Sequence, residues 1–299
     1  MNANRREYFK PISLNGRILR LFKNGEFALP VCMPENTPPN LKDAGHEVRT
    51  YFVRNRNALV ARGMFSELYV DYFLHAGEQK LHVAPEHAEL FKRALAGFAL
   101  HMASRPWNEM TAWTIHFQQP LLNLFLTGDN ETGAITGRVF DEDVKEMQGN
   151  LFYADTVRPG EPKRRSAVEF DGGDPLAGVE KFYAQSEQRP ARFFQLGEED
   201  FVMVAEHPDC DKAWFDALTT DAMREIDKSE TLALLEKRIY RWHCGCNQSR
   251  MMEVLLPAMK RDPGGLFGDE PKIEMRCPRC GARHIITREA MEAFASGKK

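Results

Sequence analysis

HCGC at residues 243–246 and CPRC at residues 277–280 decide how the C-terminal part of the chain folds. Two closely spaced cysteines on a turn present both thiolates to one cation, and a second pair completes the tetrahedral sulfur site that zinc prefers. Such spacing twice within one short stretch is rarely a coincidence. The sequence therefore predicts one Zn²⁺ bound by Cys244, Cys246, Cys277 and Cys280, in a closed site suited to structure or sensing.

Other potential ligands and thiols lie outside this set. His243 and His284 flank the pairs and could each replace a thiolate, but four cysteines already complete the shell. Cys32 is expected to be an inert buried thiol. Cys210 lies between Asp209 and Asp211, whose negative charges would raise the pKa of the thiol and keep it unreactive.

Composition indicates a soluble globular protein of 299 residues, with 43% hydrophobic residues and a net charge of −3. This balance gives no global attraction to nucleic acid or to an anionic membrane. No apolar run reaches the ~18 residues of a membrane span, and the N-terminus lacks the apolar segment of a secretory signal. We therefore expect a cytoplasmic location, where paired thiols favour metal binding or redox switching over permanent disulfides.

The middle of the chain predicts an α+β core domain over residues 45–205. Strands and helices alternate around residues 48–103 and again around 135–196, which suggests two βαβ-like units. Residues 57–76 show helical spacing of apolar side chains, and Trp113–Leu126 predicts a strand interrupted at Pro120.

Residues 1–44 are predicted to be an N-terminal extension. Arg17–Phe22 and Phe27–Val31 could pair as strands around the turn signal Asn24-Gly25.

Residues 206–240 predict a helical linker docked on the core. One amphipathic helix is expected at about residues 211–225. A second is expected after Asp227, with Leu232, Leu235 and Ile239 on its apolar side.

Residues 241–299 predict a small zinc-binding module with a helix at about residues 248–259, a hairpin around 273–286 and a final short helix in TREAMEAF. Few large apolar residues are available, so the metal would supply much of the folding free energy, on the order of 10 kcal/mol or more. Zinc-bound thiolates remain nucleophilic toward peroxide or hypochlorous acid. Oxidation would remove the ligands and the energy that folds the module, which allows a redox switch.

The cysteine spacing is part of a wider resemblance to a known family. DPLAGVEKFYAQSEQRPARFF (174–194) resembles the core helix and following turn of the 33-kDa heat-shock protein family, which are redox-regulated holdase chaperones. KIEMRCPRCGARHIITREAM (272–291) resembles its second zinc knuckle, and LLNLFLTGDNETGAITGRV (121–139) is similar to its strand-loop-strand segment. The resemblance covers residues 45–290, whereas residues 1–44 have no counterpart and LLEKRIYRWHCGC (234–246) is shorter than the family's linker.

The resemblance implies a reduced, zinc-bound form that is largely inactive. Oxidation would form the disulfides Cys244–Cys246 and Cys277–Cys280, release zinc and unfold the linker and module. The exposed apolar surface would bind unfolded or aggregation-prone proteins without ATP, and active members can form homodimers. The resemblance supplies no catalytic residues and leaves the client-binding residues unassigned.

Two other classes of function compete with this prediction. A zinc-ribbon adaptor could bind nucleic acid or a protein partner without switching. However, residues 241–299 carry eleven Lys/Arg against seven Asp/Glu, a weak field for nucleic acid once four thiolates bind zinc. An enzyme is not expected, because the sequence lacks a Gly-rich phosphate loop, a nucleophile elbow and a His/carboxylate zinc motif.

Overall fold

In the computed structural model, the described residues are 12–14, 17–19 and 45–297. The strands are β1 (Ile12–Leu14), β2 (Arg17–Leu19), β3 (His46–Val53), β4 (Ala58–Met64), β5 (Met110–Phe117), β6 (Leu122–Asp129), β7 (Ala134–Phe140), β8 (Asn150–Val157), β9 (Arg164–Phe170), β10 (Ala191–Gln195), β11 (Asp200–Glu206), β12 (Leu232–Trp242), β13 (Lys272–Arg276) and β14 (Arg283–Thr287). The helices are α1 (Ser66–Glu78), α2 (Pro85–Ala103), α3 (Pro175–Gln185), α4 (Lys212–Asp216), α5 (Thr220–Arg224), α6 (Ile226–Ser229), α7 (Gln248–Arg261), α8 (Pro263–Phe267) and α9 (Arg288–Ala295).

The chain divides into two compact units, one running Asn36–Cys244 and another that includes Gly245–Lys299. The larger unit is built on a ten-stranded sheet in the order β10-β11-β4-β3-β12-β7-β6-β5-β8-β9. Neighbouring strands of this sheet pair antiparallel, apart from β12 and β7, which pair parallel through Arg241 and Trp242. The predicted α+β class is confirmed by this large sheet and its helices.

Helices α2 and α3 bury the apolar side chains of the sheet. Phe91, Leu95, Phe98 and Met102 of α2 are all fully buried, and the Phe98 ring meets the Trp113 ring of β5 edge-on at 4.9 Å. The side chain of Asp174 caps α3 by accepting a hydrogen bond from the Leu176 amide at 3.0 Å. Asp before Pro175, the first residue of the helix, is a local start signal for a helix.

Part of the predicted first helix is a strand. Ala58–Met64 form β4, which pairs with β3 on one side and β11 on the other, and the helix begins only at Ser66. The helical spacing over residues 57–76 wrongly predicted a helix at Ala58–Met64, because pairing with strands on both sides overrides the local propensity of the sequence. The predicted interruption at Pro120 is confirmed as a change of strand between β5 and β6.

The predicted second linker helix is wrong, because Leu232–Trp242 form β12. This strand lies between β3 and β7 in the middle of the large sheet. Its apolar residues repeat at intervals that also suit a helix, and the pairing partners that decide the matter are about 180 residues away in sequence. The first predicted linker helix is divided into α4 and α5, which the side chains of Asp211 and Thr219 cap.

The extension is only partly described. β1 and β2 pair antiparallel, with Leu14 opposite Arg17. The predicted turn at Asn24-Gly25 and the return strand Phe27–Val31 lie outside the described residues, as does Cys32. No helix among the described residues is long and apolar enough to cross a membrane.

The smaller unit contains the antiparallel hairpin β13–β14 together with α7, α8 and α9. The side chain of Asn247 caps α7 and that of Thr287 caps α9. The predicted helix after the first cysteine pair, the hairpin and the final helix are therefore confirmed.

Candidate metal centre

The second cysteine pair lies in the turn of the β13–β14 hairpin. The Cys277 amide donates to the Ala282 carbonyl and the Gly281 amide donates to the Cys277 carbonyl, both at 2.8 Å. Gly281 has a φ of +76°, a left-handed conformation that a glycine adopts without steric cost. This tight turn directs both sulfurs inward, and Cys277 and Cys280 are fully buried.

The first pair follows β12 directly. Gly245, between the two cysteines, has a φ of +66°, which bends the backbone so that both side chains of the Cys-Gly-Cys segment reach one side. The guanidinium of Arg250 donates to the Gly245 carbonyl and thereby holds the bend against the first turn of α7. Cys244 and Cys246 are half-buried.

The four sulfurs converge on one point. Their Sγ atoms all lie within 4.8 Å of one another, and those of Cys246 and Cys280 are 3.6 Å apart. Two thiolates on a tetrahedral zinc, each about 2.3 Å from the metal, lie about 3.8 Å apart. The arrangement can hold a metal ion, and its four soft donors fit zinc.

His284 lies beside this cluster, with its Nε2 atom 3.3 Å from the Cys246 Sγ. This distance suits an N–H···S hydrogen bond to a thiolate, the kind of outer contact that orients a metal ligand. The side chain of His243 is exposed. Of the two histidines considered from the sequence, His284 is the one whose imidazole is placed beside a clustered sulfur by a defined contact.

The remaining described cysteine, Cys210, is separate from the cluster. Its thiol is buried, and burial together with the carboxylate of Glu206 raises its pKa. The sequence attributed this direction to the flanking aspartates, but burial is the larger cause.

Sequence reasoning missed the buried polar contacts that hold β12 in the sheet. The Tyr240 hydroxyl donates to Asn130 Oδ1 at 3.0 Å, and Asn130 Nδ2 donates to the carbonyls of Met102 and Pro106 at 2.9 Å each. Arg238, only 4% exposed, also donates to the Met102 carbonyl at 3.0 Å. Asn130 lies within the predicted strand-loop-strand segment 121–139, and no local pattern reveals a partner 110 positions away.

Aromatic side chains complete the attachment of β12. The ring of Trp242, two residues before Cys244, lies 5.2 Å from the Tyr72 ring and 6.2 Å from the Phe91 ring. Arg238 lies over the Trp107 ring at 4.4 Å. The strand that leads into the first cysteine pair is thus packed into the core of the larger unit.

Comparisons with known proteins agree with the cysteine geometry. The Hsp33 protein family model matches residues 195–287. The 33 kDa chaperonin of Proteus mirabilis is 28% identical over 57% of this chain and 70% of that protein, and the one from Pectobacterium carotovorum is 23% identical over 48% and 58%. The crystal structure of the Hsp33 homologue from Thermotoga maritima shows the same fold, with a TM-score of 0.66 at 16% identity over 85% of this chain and 99% of that one. Taken with the four converging sulfurs, these matches show that the chain is similar to Hsp33 proteins in its fold and in its C-terminal sequence.

Proposed function

We propose that this chain is a redox-regulated, ATP-independent holdase chaperone. The observation that carries the proposal is the convergence of four cysteine sulfurs at the end of a core strand. The similarity to Hsp33 proteins supports a chaperone that binds unfolded proteins, and the relatives' names indicate a non-enzymatic role. Residues 45–205 would form the chaperone core, 206–240 the linker and 241–299 the redox-sensitive module, with residues 1–44 as an extension.

In the reduced state, Cys244, Cys246, Cys277 and Cys280 would hold one Zn²⁺. The metal would keep the four thiols deprotonated and cross-link the ends of the module. The reducing cytoplasm would maintain this state, and Cys210 would take no part because burial disfavours its thiolate.

Oxidation would join Cys244 to Cys246 and Cys277 to Cys280. In each pair two thiolates reduce one molecule of hypochlorous acid: an S–S bond forms, the O–Cl bond breaks and, with one proton taken up, chloride and water leave. The sulfurs would then no longer bind metal, and the module would lose the free energy that folds it.

Loss of the module would remove the anchor at the C-terminal end of β12. If β12 loosens, Trp242 withdraws from Tyr72 and Phe91, and strands β3 and β7 lose their partner. Apolar rings and unpaired strand edges are surfaces to which an unfolded chain can bind. The same exposed edges would allow oxidised chains to form homodimers.

The test measures bound zinc and suppression of aggregation in the same sample, without ATP and with a heat-denatured enzyme as the client. Hypochlorous acid should release the zinc and raise the suppression, and a reductant with added zinc should reverse both. The Cys277→Ser/Cys280→Ser variant should be active without oxidant, whereas Cys210→Ser should behave like the unaltered chain. Retained zinc with unchanged activity after oxidation would contradict the switch. Salt-sensitive oligonucleotide binding by the zinc-bound chain would instead favour an adaptor.

A further inference from the structure

The apolar core of the smaller unit is unusually rich in methionine. Half of the large apolar side chains buried in its described residues 245–297 are thioethers, namely Met251, Met252, Met259, Met275 and Met291. The others are Leu255, Leu266, Phe267, Ile273 and Ile286. The chemistry of this small core is therefore largely that of methionine.

The larger unit has a different core. Among its described residues the buried methionines are Met102, Met203 and Met223, within a much larger set of aromatic, leucine, valine and isoleucine side chains. Met64 of the larger unit is 56% exposed. Methionine is thus concentrated in the interior of the unit that contains three of the four clustered cysteines.

Hypochlorous acid oxidises thioethers as well as thiolates. One oxygen atom is transferred to the methionine sulfur, the O–Cl bond breaks, and chloride and a proton leave. The resulting sulfoxide is polar, whereas the thioether packs as a flexible apolar group. Reagents that reduce disulfides leave methionine sulfoxide unchanged, because its reduction needs dedicated reductases.

We propose that the buried methionines of the smaller unit are a second set of oxidation sites, which the folded module protects and which lock the module open once it has unfolded. This inference rests on the proposed function, because loss of the metal is what would expose the thioethers. Met275 and Met291 are the decisive positions, since they are 1% and 0% exposed respectively. When the module refolds, a sulfoxide at either position would place a polar oxygen in an apolar core.

Sulfoxides would prevent refolding of the smaller unit because its apolar core is small. Burying a polar group without a partner lowers the refolding equilibrium by roughly tenfold or more. The larger unit could absorb one such change because its apolar cluster is extensive, but the smaller unit has few other apolar side chains. Disulfide reduction alone would then restore the thiols without restoring the zinc-bound fold.

The experiment follows methionine oxidation and zinc rebinding in the full-length chain. In one arm diamide, which oxidises thiols selectively, releases the zinc; in another, hypochlorous acid is added in excess over the thiols. Each sample then receives dithiothreitol and zinc, with or without both methionine sulfoxide reductases. Rebinding should be complete after diamide, at least roughly fivefold lower after hypochlorous acid, and restored by the reductases.

Peptide mass spectrometry supplies a second measurement. At low doses of hypochlorous acid the zinc-bound chain should form the sulfoxide at exposed Met64 but not at Met275 or Met291. Stripping the zinc with a chelator should make all three positions react. Here the chelator, not thiol oxidation, removes the zinc, so this arm tests protection of the methionines even if oxidation fails to release zinc and the proposed switch is wrong.

A variant tests the same positions directly. Leucine replaces buried methionine with little change in volume, so Met275→Leu/Met291→Leu should still bind zinc and should recover better after hypochlorous acid. Met64→Leu is the matched control and should recover as poorly as the unaltered chain. Full recovery of a chain that carries module sulfoxides, with dithiothreitol and zinc alone, would overturn the inference. So would equal rates of oxidation at Met64 and Met291 in the zinc-bound chain.

Discussion

The two units of the chain are stabilised in different ways. The larger unit buries Trp113, Phe98, Leu124 and many other apolar side chains in one extensive cluster. The smaller unit buries a short, methionine-rich set around three helices and a hairpin. Hydrophobic stabilisation grows with the apolar area removed from water, so the larger unit can fold through its own core. For the smaller unit we expect a metal held by the four clustered sulfurs to supply much of the stability.

This difference in stabilisation predicts which unit an oxidant would destabilise first. We expect a chemical change at four sulfurs to leave the ten-stranded sheet folded and to destabilise mainly the smaller unit, whose apolar core is small. The central strand β12 ends two residues before Cys244. The polar and aromatic contacts of this strand therefore determine how far unfolding extends into the sheet.

Metal removal should have the largest effect and should act on the smaller unit. We expect a strong chelator to abolish amide-exchange protection in β13, β14 and α7 of the reduced chain, because structural zinc contributes on the order of 10 kcal/mol to such units. Protection in α2 and β5 should persist. A sample with chelator already saturated by zinc is the control, and a smaller unit that stays protected without metal would refute the comparison.

The ion pairs around Glu109 are a way to weaken the larger unit alone. Its carboxylate is fully buried and contacts Arg105 at 2.7 Å and Arg158 at 2.8 Å. Although burial opposes ionisation, hydrogen bonds from Arg105 and Arg158 hold the pKa of Glu109 below its ordinary value. Glu109→Gln removes the carboxylate that the two arginines share and leaves Arg105 with Glu187 alone, which should lower the free energy of unfolding by about 3 kcal/mol.

The measurement is urea unfolding followed by tryptophan fluorescence. All four tryptophans lie between residues 107 and 242, so the signal reports on the larger unit. Glu161→Gln removes an exposed pair with the same arginine and should change stability by less than ~0.5 kcal/mol. Zinc content should be equal in both variants, and a loss of zinc in Glu109→Gln would show that the units are not independent.

Local chemistry made much of the smaller unit predictable. Several features of this unit depend on residues close in sequence. They are the Cys-x-Cys and Cys-x-x-Cys spacings, helix α7 after Asn247, and the β13–β14 hairpin. The α3 cap at Asp174 was predictable for the same reason. What the sequence could not supply was the pairing of β12, because the two candidate structures share the same local spacing and only distant strands distinguish them.

Buried polar contacts were equally beyond local reasoning. Asn130 lies in a turn sequence, yet its side chain is buried and joins Met102 to Tyr240. His284 follows Cys280 by four residues, and the hairpin register brings its imidazole to the Cys246 sulfur. Zinc binding by the four cysteines and the two disulfides stay predictions.

Acid should weaken the larger unit through His46. Burial lowers the pKa of this imidazole to about 4, so the folded state stays neutral while the unfolded state takes up a proton below about 6.5. Stability should therefore fall as the pH drops from 6.5 toward 4, by at most about 1.4 kcal/mol per pH unit from this residue. Burial lowers the pKa of His101 as well, so part of the slope remains without His46.

The check is the free energy of unfolding by tryptophan fluorescence at pH 6.5, 5.5 and 4.5. His46→Gln should reduce the loss on acidification, whereas His82→Gln, at an exposed position, should leave it unchanged. Equal slopes in the unaltered chain and His46→Gln would show that His46 takes up its proton in the folded state.

His284 should contribute a smaller amount to metal binding. Removing an outer-shell partner of a ligand weakens metal affinity by about tenfold or more, and we expect that loss in His284→Ala, measured by competition with a zinc chelator. His243→Ala is the matched control because its side chain is exposed. Equal affinities would mean that the 3.3 Å contact to Cys246 does not stabilise the site.

Tyr240→Phe should have the smallest effect on stability and the most specific one on β12. Loss of the hydroxyl leaves the Asn130 acceptor unpaired and should cost about 1 kcal/mol. Tyr69→Phe is a matched control, since the buried Tyr69 hydroxyl donates to the Lys92 carbonyl at 3.0 Å, away from β12. We expect the two variants to be destabilised alike, but only Tyr240→Phe to exchange β12 amides faster and to need less oxidant for full chaperone activity. If both respond equally to oxidant, then global stability, rather than the attachment of β12, determines how far unfolding extends into the core.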